Sequence, residues 1–207
     1  MNYFVTAIHT DSGKTLISAI LCEALQAEYW KPIQAGTPTD SDTIRSLAPN
    51  ITIHPEGYRL QMPASPHAAA RAEGITIKRT DFTVPKTSGD LIIEGAGGCL
   101  VPINDSEFVI DLASWFQAKV ILVANLYLGS INHTLLTYEA LRSRNLTPLG
   151  IIFNGPENTD SEDIILRHTG LPCLLRIARE EYVTPDTIKH YAEALRKSIH
   201  QLAVNWY

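Results

Sequence analysis

Nine residues near the amino terminus have the make-up of a phosphate cradle: Ala7-Ile8-His9-Thr10-Asp11-Ser12-Gly13-Lys14-Thr15. A lysine closing such a loop reaches the terminal phosphates of a nucleotide, and the hydroxyl that follows it is suited to ligate Mg²⁺. Backbone N–H groups that open a helix lack intrahelical partners and carry the positive end of its dipole, so they favour the same anion. This chemistry requires a strand before the loop and a helix behind it. Tyr3-Phe4-Val5-Thr6 supplies the β-rich run, and Leu16, Ile17, Ile20, Leu21, Ala24 and Leu25 recur at helical spacing. A helix start that merely contains Gly-Lys-Thr is the plainer alternative; the flanking pattern favours the phosphate loop. Ala7 stands where such loops usually begin with glycine, which requires a negative φ at that residue.

Other reactive side chains fall at the ends of strand-like runs, where ligands of α/β sheets gather. Beside Lys14 they are Lys31, Asp42, Glu94, Asn125 and Asn154. Glu94 ends the run Asp90-Leu91-Ile92-Ile93 and precedes Gly95-Ala96-Gly97-Gly98. A carboxylate buried there needs a metal or cation beside it, whereas one facing water needs nothing. The glycines either admit a ligand close to the backbone or simply turn the chain. Asp42 lies in Ser41-Asp42-Thr43, which is also ordinary helix-start chemistry, so its spacing leaves both roles open. Lys31 is unusual inside a strand pattern, and an edge lysine facing solvent is the plain alternative. His67 and His133 each stand at a helix entrance, where a structural role is the commoner one.

Holding these residues together takes alternating strands and helices. The pattern predicts a helix over 14–28, a strand over 29–33, a short helix capped by Thr39 or Ser41, a strand over 58–60 and a helix over 68–73 entered through Pro66. Beyond these it predicts strands over 90–94, 119–125, 149–154 and 174–177. Helices fall between them over 109–117, 129–144 and 160–168, and a last one runs from Thr184 to Ala203. Residues 75–89 form no legible element. Such alternation means an α/β fold, a mostly parallel sheet flanked by helices on both faces, P-loop NTPase-like, with residues 1–207 as one domain.

Composition narrows the function. Hydrophobic residues at 45% and charged residues at 19% suit a globular chain with a sizeable core. A net charge of −5 with no basic block argues against a nucleic-acid partner. Cys22, Cys99 and Cys173 are far apart and lack C-x-x-C spacing, which suggests neither a disulfide framework nor a zinc site. No run is long enough to span a bilayer and no leader is apparent, so a cytoplasmic location without membrane association is expected.

Taken in order, several segments resemble the dethiobiotin synthetase family. They are Thr10 to Thr15, Lys31-Pro32-Ile33-Gln34-Ala35-Gly36, Ser41-Asp42, Ser65-Pro66-His67, Glu94 to Gly98, Leu128-Gly129-Ser130-Ile131-Asn132-His133 and Asn154. The resemblance covers about residues 3–154 and is far more specific than the loop alone. It implies an ATP- and Mg²⁺-dependent cyclo-ligase of biotin biosynthesis that turns 7,8-diaminononanoate and CO₂ into dethiobiotin, with ADP and phosphate as the other products. It further implies Lys14, Lys31 and Thr10 as catalytic residues, with Thr10, Asp11, Ser12, Gly13, Lys14, Thr15 and Asn154 binding ATP. Thr15, Asp42 and Glu94 match the Mg²⁺ ligands of the family. Lys31, Ala35 and Ser130, Ile131, Asn132 and His133 match its substrate contacts, the last four across a two-fold homodimer interface. Cations and amide donors placed between a carbamate and a polyphosphate suit that chemistry, because the two anions repel each other.

The chain departs from the family pattern at Ala7, at Asp11 (in place of a more usual glutamate), at Ala35, which lacks a hydroxyl, and at Arg176-Ile177-Ala178, where the base pocket is usually shaped. A ParA/MinD-like switch ATPase is the main alternative. It is disfavoured by Ile8 and His9, where such proteins carry a signature lysine. A corrinoid-type amidoligase is the other, disfavoured because no room remains for a glutamine-hydrolysing domain.

Overall fold

The computed structural model describes residues 1–202. Strand β1 (Asn2–Ala7) lies at the centre of a seven-stranded sheet. The others are β2 (Glu28–Trp30), β4 (Ile53–His54), β6 (Leu91–Glu94), β7 (Lys119–Asn125), β8 (Ile151–Asn154) and β9 (Cys173–Ile177), in the order β4-β2-β6-β1-β7-β8-β9. Every pairing is parallel. All strand carboxyl ends therefore open on one edge, where the loop after β1 and Glu94 at the end of β6 lie side by side. Parallel strands are covered on both faces, which explains their near-continuous apolar runs.

Alternate residues of β1 feed two cores. Phe4 packs on one side with Trp30, Ile93, Val120 and Phe153. Tyr3, Val5 and Ala7 pack on the other with helix α1 (Lys14–Leu25) and helix α7 (Pro185–Leu202). Helix α2 (Asp40–Leu47) contributes Ile44 to the second core, and α3 (Pro66–Ala72) and α4 (Asp111–Trp115) contribute to the first. Helices α5 (Ser130–Arg142) and α6 (Thr159–Thr169) also pack on the first side. No helix of the described residues is long and apolar enough to cross a membrane.

The expected strand over 29–33 is in fact two. Pro32 has no N–H to continue a ladder. The chain leaves the large sheet after Trp30, and β3 (Ile33–Ala35) pairs instead with β5 (Tyr58–Leu60) in a separate two-stranded sheet. Helix α1 stops at Leu25, earlier than its periodicity suggests, because Gln26 adopts a left-handed conformation with φ 53 and turns the chain into β2. Strand β4 was not legible in the sequence, being two residues long. Residues 75–89 contain only a 3₁₀ turn at Arg79–Asp81. The expected end of the last helix at Ala203 lies outside the described residues.

Candidate active site

The loop between β1 and α1 is tied from within and from the sheet. The Ser12 hydroxyl donates to the His9 carbonyl at 3.0 Å and accepts from the His9 N–H at 3.3 Å. Asn154, at the end of β8, donates to the Ser12 carbonyl at 2.9 Å. Gly13 takes φ +92, and a Cβ built there would lie 2.3 Å from Asn154 Nδ2. The backbone therefore favours glycine, and a side chain here would also have to displace the Asn154 amide. Ala7, fully buried at the end of β1, is not among the positive-φ residues, so alanine is accommodated at this position.

The Lys14 ammonium curls back over the loop, donating to the Thr10 carbonyl at 2.9 Å. Burial, together with the charge of Lys31, lowers its pKa to about 8, against the opposing pull of Glu94, Asp40 and Asp11. An anion delivered to this loop would meet a lysine short of counter-charge.

Glu94 is 1% exposed and fully engaged. Its Oε1 accepts from the Thr15 hydroxyl at 2.9 Å and from Lys31 at 3.1 Å, and its Oε2 accepts from the Tyr29 hydroxyl at 2.9 Å. Lys31 is 3% exposed, so the edge-lysine alternative fails. Its ammonium also lies 2.5 Å from Asp40 Oδ2 and donates to the Gly95 carbonyl at 3.0 Å. Burial opposes the charge on Lys31, but Glu94 and Asp40 outweigh it and raise its pKa. Burial likewise works against the Asp40 carboxylate, and the pairing with Lys31 overrides it and holds the group below its usual value. The Tyr29 phenol is pushed well above its ordinary range by burial and then by the Glu94 charge, and it stands as a donor.

Asp42, expected from the resemblance as a metal ligand, is not in this cluster. Its side chain is 56% exposed and serves the start of α2, accepting from the Thr39 hydroxyl at 2.7 Å and from Arg45 at 2.6 Å. Asp40 takes the place beside Thr15, Lys31 and Glu94. Two residues along a helix turn the side chain by about 200°, so the two acids cannot face the loop together. The signal was present: Asp40 precedes the fully buried Ile44 by four residues and shares its face. Gln34 fixes this helix start, its Oε1 accepting from the Asp40 N–H at 3.1 Å. Neither Gln34 nor Tyr29 was singled out from the sequence, since their roles depend on packing.

Two cavities meet here. One, of about 360 Å³, is lined by Asp11, Gly13, Lys14, Thr15 and Glu94 together with Thr10, Lys31, Asp40 and Gly97. The other, of about 470 Å³, shares those last four and adds Ala35, Ser65 and Val101 among others. Thr15, Asp40 and Glu94 form a set of hard oxygen donors, the chemistry that suits Mg²⁺. His67 lines neither cavity; its Nδ1 is bonded to the Ser65 hydroxyl at 3.1 Å. Ser130, Ile131, Asn132 and His133 line neither cavity as well. Ser130 is buried with its hydroxyl unpartnered among the described residues, while Asn132 and His133 are exposed. Tyr127 links this helix start to the loop, bonded to His133 Nδ1 and edge-on to the His9 ring with centroids 5.3 Å apart. At Arg176 the chain pairs with Glu162 of α6, and the Ala178 N–H donates to the Tyr191 hydroxyl at 3.2 Å.

Known proteins resemble this chain in sequence and in fold. Residues 1–187 match a family described as an AAA domain. A protein of Cytophaga hutchinsonii named ATP-dependent dethiobiotin synthetase BioD is 56% identical, over 99% of this chain and 98% of that protein. One of the same name from Christiangramia forsetii is 44% identical, over 97% of this chain and 99% of its own length. Among solved structures, the septum site-determining protein MinD of Pyrococcus horikoshii, complexed with Mg-ADP, has the same fold. The TM-score is 0.54 at 14% identity, with 95% of this chain and 97% of that one covered. A putative plasmid partition protein of Borrelia burgdorferi bound to AMPPNP gives 0.58 at 12%, covering 97% and 98%. At these identities the solved structures speak for the fold, whereas the curated relatives speak for the family: this chain belongs to the dethiobiotin synthetases.

Proposed function

We propose that the chain makes dethiobiotin from 7,8-diaminononanoate, CO₂ and ATP, as a cytoplasmic homodimer whose residues 1–207 act as one nucleotide-binding unit. The observation that carries this reading is the pair of adjoining cavities divided by Lys31, Asp40, Thr10 and Gly97. One cavity is walled by phosphate-binding groups. The other is roomier and has an apolar side formed by Ile33, Ala35 and Val101, suited to a chain of methylenes.

In this reading one substrate amine adds to CO₂ and loses a proton, giving a carbamate. A carbamate oxygen attacks the γ-phosphorus and ADP leaves; the second amine then attacks the carbamate carbon, loses a proton and expels phosphate as the ureido ring closes. Lys14 and the loop amides hold the polyphosphate, and Asn154 reads the adenine of the nucleotide. Lys31 stands at the junction of the cavities, where one ammonium meets both the carbamate and the transferring phosphoryl group. Placing hydrogen-bond donors where charge develops is worth several kcal/mol in other enzymes, about 2.7–4 for a single neutral donor. Mg²⁺ would be held by Thr15, Asp40 and Glu94, and it neutralises phosphate charge when bound. The Ser130–His133 helix start meets the substrate carboxylate from the second subunit, in keeping with its absence from the lining of both cavities.

Incubating the purified protein with Mg-ATP, bicarbonate and the diamine tests this. Stoichiometric ADP and cyclic urea, both dependent on the diamine, are expected. ADP release that ignores the diamine would instead favour a switch ATPase.

A further inference from the structure

Glu94 keeps different company at its two oxygens. Oε1 accepts from Thr15 and Lys31, and both of those residues line the phosphate cavity. Oε2 accepts from Tyr29, which does not line it. Tyr29 is paired in register with Ile92, two residues before Glu94, and both pack in the core against α1. Its side chain is fully buried at 0% exposure, so its hydroxyl has no water to turn to. A buried phenol and a buried carboxylate oxygen, each costly without a partner, are thus locked to one another.

We propose that Tyr29 is a positioning residue: its hydroxyl occupies Glu94 Oε2, so that the carboxylate offers a single oxygen to a divalent cation at the phosphate site, and this favours a small cation over a large one. The inference rests on the reading of Thr15, Asp40 and Glu94 as the Mg²⁺ donors. Mg²⁺ demands tight six-fold geometry and is satisfied by one oxygen from a carboxylate, whereas Ca²⁺ takes more oxygens and accepts both from one group. Partners that orient a metal-binding side chain typically change metal affinity by about 10–100-fold when removed. Tyr29→Phe removes one oxygen and leaves the ring in place.

The test is calorimetric titration of the full chain with ADP across a series of Mg²⁺ and Ca²⁺ concentrations, wild type against Tyr29→Phe. In the wild type, Mg²⁺ is expected to strengthen ADP binding at far lower concentration than Ca²⁺. In the variant the Mg²⁺ requirement rises about tenfold and the Ca²⁺ requirement does not, so the preference shrinks by that factor. An unchanged preference in Tyr29→Phe overturns the role of Tyr29 and leaves the Mg²⁺ reading intact. A wild type whose ADP affinity ignores Mg²⁺ overturns the reading and this inference with it. A crystal structure of the wild type with Mg²⁺ and ADP serves independently of the variant's folding. It is expected to keep the Tyr29–Oε2 bond, and Oε2 at coordination distance from the metal refutes the proposal.

Discussion

Lys14 and Lys31 show how two ammonium groups in one site are tuned apart. Lys31 is neutralised by Glu94 and Asp40, while Lys14 is buried with only backbone carbonyls as direct partners among the described residues. Folding lowers Lys14 from 10.5 to about 8, so between those values the folded chain holds fewer protons at this site than the unfolded one. The cost to stability is fully present below about pH 8 and is relieved as pH rises toward 10.5. A bound polyphosphate supplies the missing counter-charge, so ADP binding near pH 8.5 is expected to take up as much as about three-quarters of a proton. Calorimetry in buffers of different ionisation enthalpy reads that uptake, and Lys14→Met should abolish it. The acids of α2 offer a sharper contrast. Asp40→Asn is expected to cost at least about tenfold in Mg²⁺-dependent nucleotide affinity. Asp42→Asn should leave that affinity unchanged and lower stability only slightly, because its bonds to Thr39 and Arg45 lie at the surface. Equal effects from the two variants would reverse the assignment.

At the scale of the element, the loop and its helix depend on strand β8, far away in sequence. Asn154 both tethers the Ser12 carbonyl and fills the space in front of Gly13. Gly13→Ala is expected to abolish measurable ADP binding. In an Asn154→Ala background the clash is gone but the positive φ is not, so Gly13→Ala should still lose most of the ADP affinity that Asn154→Ala alone retains. Little loss in that background would mean that the contact, not the backbone, makes glycine necessary. Helix α2 is organised similarly: Thr39 caps it, Gln34 holds its first N–H, and Ile44 fixes its rotation, which together decide that Asp40 faces inward. Caps of this kind are worth about 1 kcal/mol, small beside the consequence of turning the wrong acid toward Lys31.

For the whole molecule, the remaining question is what completes the substrate site. Leu128 just before α5, Leu136 midway along it and Leu100 in the loop after β6 are exposed, at 103%, 60% and 48%. Under the proposed dimer, this face meets its counterpart and brings Ser130 to His133 to the neighbouring cavity. Leu128→Glu combined with Leu136→Glu is therefore expected to give a monomer by light scattering. Its ADP affinity should stay within about twofold, because no nucleotide-binding residue is touched, while its KM for the diamine rises about tenfold or more. A monomeric variant with an unchanged KM would place the carboxylate site within one chain.

The sequence by itself determined the alternation of strands and helices, the phosphate loop and the family, because these rest on local periodicity and on short runs whose chemistry is fixed by residue type and order. Asn154, Glu94 and Lys31 were legible for the same reason, as polar groups ending or interrupting apolar strands. Tertiary structure alone decided which atoms they touch. Pro32 diverting the chain into a second sheet, Asp40 rather than Asp42 beside the loop, and the hydroxyl of Tyr29 on Glu94 all depend on register and helix rotation. Those are set by packing between segments distant along the chain, and a buried charge accepts whichever partner that packing brings within hydrogen-bond reach.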